Sequence, residues 1–163
     1  MSEIDDLVSE LEHEHAGQPW HGPSRAAVLA DVSAAEAARR PPGGAHSIWE
    51  LVLHMTAWTG EVARRLGGNV AAEPPEGDWP SMPSTPTDEA WTAAKHALDD
   101  AHRELVAALR AFPPGRLGDI VRTTATSPEV AGVSFAMSIR GVLQHDAYHT
   151  GQVAILKRVL RGR

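Results

Sequence analysis

Apolar side chains return along this chain at helical spacing, and nowhere in the sustained alternation that a sheet requires. Ile4, Leu7, Val8 and Leu11 establish the pattern and predict a helix over about residues 3–15. "GQPWHGPS" interrupts it. The Ala-rich "SRAAVLADVSAAEAARR" then predicts one or two short helices, stopped by Pro41-Pro42-Gly43-Gly44. Ser47 and Glu50 have the spacing of a capping box and Gly67-Gly68 supply a stop, so a long helix is expected over about 48–66. Residues 69–86, with "EPPEGDWPSMPSTP", are too rich in proline for regular structure and read as a long surface loop. A further helix is expected from about Thr87 to Ala111, ending at "PPG". "RLGDIVRTTATSPEVAGVS" has a few β-branched residues and reads as a short strand or a loop. The last helix starts at Ser134 or Phe135 and runs to the C-terminus.

The 48–66 helix carries an apolar stripe at Ile48, Val52, Met55, Val62 and Leu66, with Glu61, Arg64 and Arg65 elsewhere. On the last helix the stripe is Phe135, Ile139, Val142, Val153, Leu156 and Leu160, with a second, weaker flank at Met137, Tyr148 and Ile155. That flank suits either an interface or another helix of the same bundle. Long amphipathic helices with one apolar face each pack around a shared core, so the expected fold is an all-α helical bundle, one domain over 1–163.

Two ionisable rings interrupt the last stripe. At about 100° per residue, His145 and His149 lie about 40° apart and share an arc with Val142, Leu156 and Leu160. Both rings therefore point inward, where each nitrogen needs a partner and burial opposes protonation. A metal ion answers both needs, since neutral imidazole ligates zinc, nickel, copper or iron. Two ligands rarely hold an ion tightly, and a third must come from another helix. His13 and His15 diverge by about 200° in a charged region and read as solvent-facing. His96 and His102 differ by about 240°, and His21 and His46 sit in chain breaks. His54 lies mid-helix beside the apolar stripe, between Leu51 and Trp58, and is the third candidate. Its helix also carries Trp49, which with Trp58 is expected in the core, while Trp79 in the "GDWP" loop is a candidate for the mouth of a pocket.

Composition narrows the chemistry. The 15 Lys+Arg against 21 Asp+Glu give a net charge of −6, which argues against nucleic acid and anionic membrane as partners. Absence of cysteine excludes disulfides, thiolate ligands and Cys nucleophiles. No apolar run approaches the roughly 20 residues that span a bilayer. The start, "MSEIDDLVSELEHEH", is acidic where a signal peptide is basic, so a cytoplasmic location is expected. "HDAYH" has the outline of the protease motif H-E-x-x-H with Asp146 for Glu, but "TGQVAILKRVLRGR" after it offers no His, Asp or Glu as the downstream ligand such enzymes use.

"HSIWELVLHMTAW" followed by "GVLQHDAYHTGQVAILKR", with "GPS" and "DWP" between and before them in the same order, resembles the DinB-like (DinB/YfiT-like) family of metalloenzymes over most of the chain. The resemblance implies a four-helix bundle with long crossover connections, a homodimer, and a three-histidine site for zinc or nickel. Its first ligand matches His54 and its C-terminal pair matches His145 and His149. A three-histidine ion keeps an open position, the layout of a catalytic site. Two reactions follow: hydrolysis by metal-bound water, or activation of a low-molecular-weight thiol for S-transfer, which the resemblance favours because related proteins include bacillithiol and mycothiol S-transferases. A metal-binding stress-response protein without turnover is the third reading. Glu50 is claimed by the capping box, Asp146 lies about 100° from His145, Gln152 falls on the ligand side, and Tyr148 is expected in packing or behind the ligands. No catalytic residue is assigned beyond the ligands; the expected partner is a small molecule.

Overall fold

Every long helix begins where a side-chain oxygen can take up an amide of the first turn. In the computed structural model, which describes residues 2–123 and 132–162, Ser2 caps α1 (Glu3–Ala16), Ser47 caps α4 (Ile48–Leu66), Thr87 caps α5 (Asp88–Ala111) and Ser134 caps α6 (Phe135–Leu160). The boxes at Ser2/Asp5 and Ser47/Glu50 are reciprocal, so Glu50 is spent on the cap as expected. Such a cap contributes about 1 kcal/mol. α4 stops at Gly67 and Gly68, the second of which takes φ 98°, a conformation that a Cβ disfavours. α5 stops at Phe112, before a proline pair. Two short helices, α2 (Arg25–Leu29) and α3 (Ala34–Ala38), fill the first crossover. The described residues contain no strand. Isolated bridges join Ala71 to Thr123 and Ile120 to Ser134, so of the two alternatives the described part of that segment is a loop rather than a strand, and its residues 124–131 lie outside the described residues.

α4 packs against α5 and α6, and α1 packs against the same two helices. The four long helices therefore form a ring in the order α1, α5, α4, α6. The α1-to-α4 and α5-to-α6 connections cross its diagonals, which is the all-α bundle with long crossovers. No helix among the described residues is long and apolar enough to cross a membrane.

The core is not continuous along the bundle. One apolar cluster joins α1 with Val62 and Leu66 of α4, Leu105 and Leu109 of α5, and Phe135, Ile139 and Val142 of α6. The other joins α2 and α3 with Ile48 to Met55 of α4, Trp91 to Leu98 of α5, and Val153 of α6. Apart from Glu50 and Ser138, which lie within the clusters, and Glu61, which faces the loop after α4, the buried polar residues of these three helices gather around the junction of the clusters: His54 and Thr59 on α4, His102 on α5, Asp146, His149 and Thr150 on α6. A polar layer crosses the middle of the bundle, and the histidines belong to it.

Several sequence expectations need correction. Glu61, off the apolar stripe, is nonetheless buried, because it accepts bonds from Arg64, Arg65 and the Ala72 amide and so anchors the chain leaving α4. His15 is partly buried rather than solvent-facing, since its ring stacks on His102 with centroids 4.0 Å apart. Trp49 is buried as expected, but Trp58 is only half-buried. Tyr148 is 65% exposed, with its ring edge-on to His149 at 5.1 Å; with Met137 at 58% and Ile155 at 63% it forms an outward face of α6 that no other helix among the described residues covers.

Candidate metal centre

His145 and His149 stand one turn apart on α6, and α4 crosses so that His54 projects between them. Ring centroids are separated by 4.7 Å for His54–His145, 4.8 Å for His54–His149 and 4.4 Å for His145–His149. One ligand atom from each ring lies within 4.8 Å of the other two, so the three can hold a metal ion. His54 and His149 are buried, while the His145 side chain keeps 27% of its exposure.

Two of the rings, His54 and His149, are held from behind. The His54 Nδ1–H donates to the Asp78 carbonyl at 2.5 Å, which leaves Nε2 as a lone pair facing His145. The Asp78 carboxylate accepts from Trp58 Nε1 at 2.8 Å, and Trp79 stacks on His54 at 3.9 Å and on His46 at 3.6 Å. The proline-rich loop thus fixes the first ring. His149 donates Nδ1–H to Gln152 Oε1 at 2.7 Å. Gln152 therefore orients a candidate ligand, which the sequence reading does not anticipate. Burial pushes both rings below the ordinary histidine pKa; the hydrogen bonds to Asp78 and Gln152 oppose this without reversing it. Neutral rings with Nε2 free are the form that a cation requires.

His145 supplies the test of fit. Its Nε2 lies 2.8 Å from Nε2 of His54, where one nitrogen must carry a proton for the other to accept. Since the His54 proton is on Nδ1, His145 donates from Nε2, and its Nδ1 is a bare lone pair. That Nδ1 is buried without a partner, and so is Asp146 Oδ1, 3.5 Å away. Two acceptors facing each other in a buried site are unfavourable. Were the three rings to hold a cation, the His145 proton would belong on Nδ1, where Asp146 could accept it. That would satisfy both orphans, so the residues present fit a metal ion.

Asp146 does not turn into the ligand space. It is buried against Arg25 of α2, which is 3% exposed, and lies 3.3 Å from the Thr59 hydroxyl. The other guanidinium nitrogen of Arg25 donates to His15 Nδ1 at 3.1 Å. The sequence did not reveal Arg25: nothing local marks a residue paired across 121 positions. Of the remaining histidines, His13 and His96 are exposed, His21 bonds to Glu14, and none joins the cluster. Trp79, suspected at a pocket mouth, instead covers the first ligand.

The profile of the DinB superfamily matches residues 25–153. No curated protein and no solved structure matches the chain. The matched span runs from Arg25 past both α6 histidines and takes in most of the chain, so the protein belongs to the DinB superfamily.

Proposed function

We propose that this protein is a metal-dependent enzyme of the thiol S-transferase type, with His54, His145 and His149 as ligands of a divalent ion, zinc or nickel. The observation that carries the reading is the combination of three converging imidazoles with carboxylates that lie behind the rings. Asp146 sits against Arg25 on the Nδ1 side of His145 and Asp78 against Trp58 on the Nδ1 side of His54, so neither is placed on the ligand side to act as a general base. Hydrolysis relies on such a group to move protons to the leaving atom. A bound ion supplies Lewis acidity that lowers the pKa of a coordinated thiol, and this route needs no protein base. The chain's own part is to bring the three rings together, keep His54 and His149 neutral by burial, and cover the rings with Trp58 and Trp79.

The test is metal content of untagged protein, then thiol conjugation to monochlorobimane with and without added ion. Turnover that requires the ion and disappears in His149→Ala supports the reading. Ion-dependent hydrolysis of esters or amides with no thiol turnover would favour the hydrolase, and bound metal without either activity would favour an accessory protein.

A further inference from the structure

A cavity of about 1080 Å³ opens from the edge of the histidine cluster, lined there by His145, Trp58 and Asp78. It extends along α6 past Val142 and Gly141 to Ser138 and Met137. Seven residues of helix separate Ser138 from His145, about 10 Å along the axis. Its walls are aliphatic: Val62 from α4, and Ala71 and Val121 from the two connections.

The charges at its rim are all engaged. Arg65 is bonded to Glu61 and the Ala72 carbonyl, Glu73 accepts the Asp78 amide, Asp78 accepts Trp58, and Arg140 pairs with Glu3. No ligand charge is called for. Gly141 lies about two turns into α6, inside the helix, where glycine costs roughly 1 kcal/mol against alanine. Its φ is not positive, and a Cβ there would meet nothing within 4 Å, so neither backbone nor packing requires it. It lines the cavity without adding a side chain to it. At the far end the Ser138 hydroxyl is buried without a hydrogen-bond partner. Turning it by one staggered rotamer toward a carbonyl in the cavity therefore sacrifices no bond.

We infer that this cavity binds the second substrate: an uncharged, elongated aryl or alkyl molecule about 10 Å long, its reactive end at the histidines and a hydrogen-bond acceptor at Ser138. This rests on the site having the enzymatic role proposed above, but its test reads binding alone.

Two neutral fluorescent probes are titrated into the full chain, Prodan, which carries a carbonyl, and N-phenyl-1-naphthylamine, which does not. Both should bind saturably at one site, with or without zinc. Gly141→Leu projects into the cavity while favouring the helix, so it should fold as the parent does and weaken both probes at least tenfold; Gly141→Ala should weaken them little. Ser138→Ala should weaken Prodan several-fold and leave N-phenyl-1-naphthylamine unchanged. Non-saturable binding, equal affinity in Gly141→Leu, or tighter binding of a carboxylated analogue of Prodan would overturn the inference. Absence of thiol turnover with probe binding intact would count against the enzymatic reading and not against the cavity.

Discussion

Arg25 and Asp146 are 3% and 5% exposed, and each is the other's counter-charge in the polar layer. Replacing Arg25 by Met keeps the apolar stem and removes the charge. The Asp146 carboxylate then remains buried with the Thr59 hydroxyl at 3.3 Å as its remaining donor. Breaking a buried pair from one side costs about 3–5 kcal/mol, a large share of a domain's total of about 5–15 kcal/mol. At about 2–4 °C per kcal/mol for a chain of this size, the midpoint should fall by roughly 6–20 °C. Removing both charges in Arg25→Met/Asp146→Leu should regain most of that loss, because no ion is left without its partner. Urea unfolding of the parent, both single variants and the double variant closes the cycle, all with metal withheld so that ligand effects do not enter. The argument is refuted if Arg25→Met costs less than about 1 kcal/mol, the range of a solvated pair, or if the double variant is as unstable as the two single losses added together.

Three further outcomes are expected. Burial first, then the neighbouring His102 and Arg25 charges, hold His15 down to about 4, so between about 4 and the ordinary histidine value of 6.5 the unfolded chain binds a proton there that the folded chain does not. Stability should therefore be full above pH 6.5 and decline as pH falls toward 4, and urea midpoints should flatten over that window in His15→Gln. Added zinc at about a thousand times its dissociation constant should stabilise the fold by about 4 kcal/mol, read as a rise in melting temperature that a chelator reverses and His54→Ala does not display. If the homodimer implied by the family resemblance forms through the outward face of α6, Tyr148→Glu should reduce the mass measured by light scattering from two chains to one; an unchanged mass assigns the contact elsewhere.

The candidate ligands were legible because a helix reports side-chain direction through spacing alone. His145 and His149 share a face by arithmetic, and His54 stood out as an ionisable ring beside an apolar stripe. The caps at Ser47 and Thr87 and the stops at Gly67 and the Pro113-Pro114 pair are local, which is why the long helices appeared nearly at their observed bounds. What escaped was set by contacts distant in sequence. The burial of Glu61 could not be read from α4 alone, because its partner, the Ala72 amide, lies in a loop with no periodicity. His15 looked exposed because the ring it stacks on belongs to α5. Gln152 was placed on the correct side of α6, but which atom it would meet depended on the rotation of His149. The division of the core into two apolar clusters was likewise invisible, since each helix alone displays one interrupted stripe.

His54 is oriented by a carbonyl and an indole that arrive 24 and 25 residues later in the chain, from a segment with no helix or strand of its own. Any ion bound through His54 would therefore be linked to the seating of that segment, each strengthening the other by the same factor. A change confined to 69–86 would accordingly reach the histidine cluster while leaving the four long helices and their caps untouched.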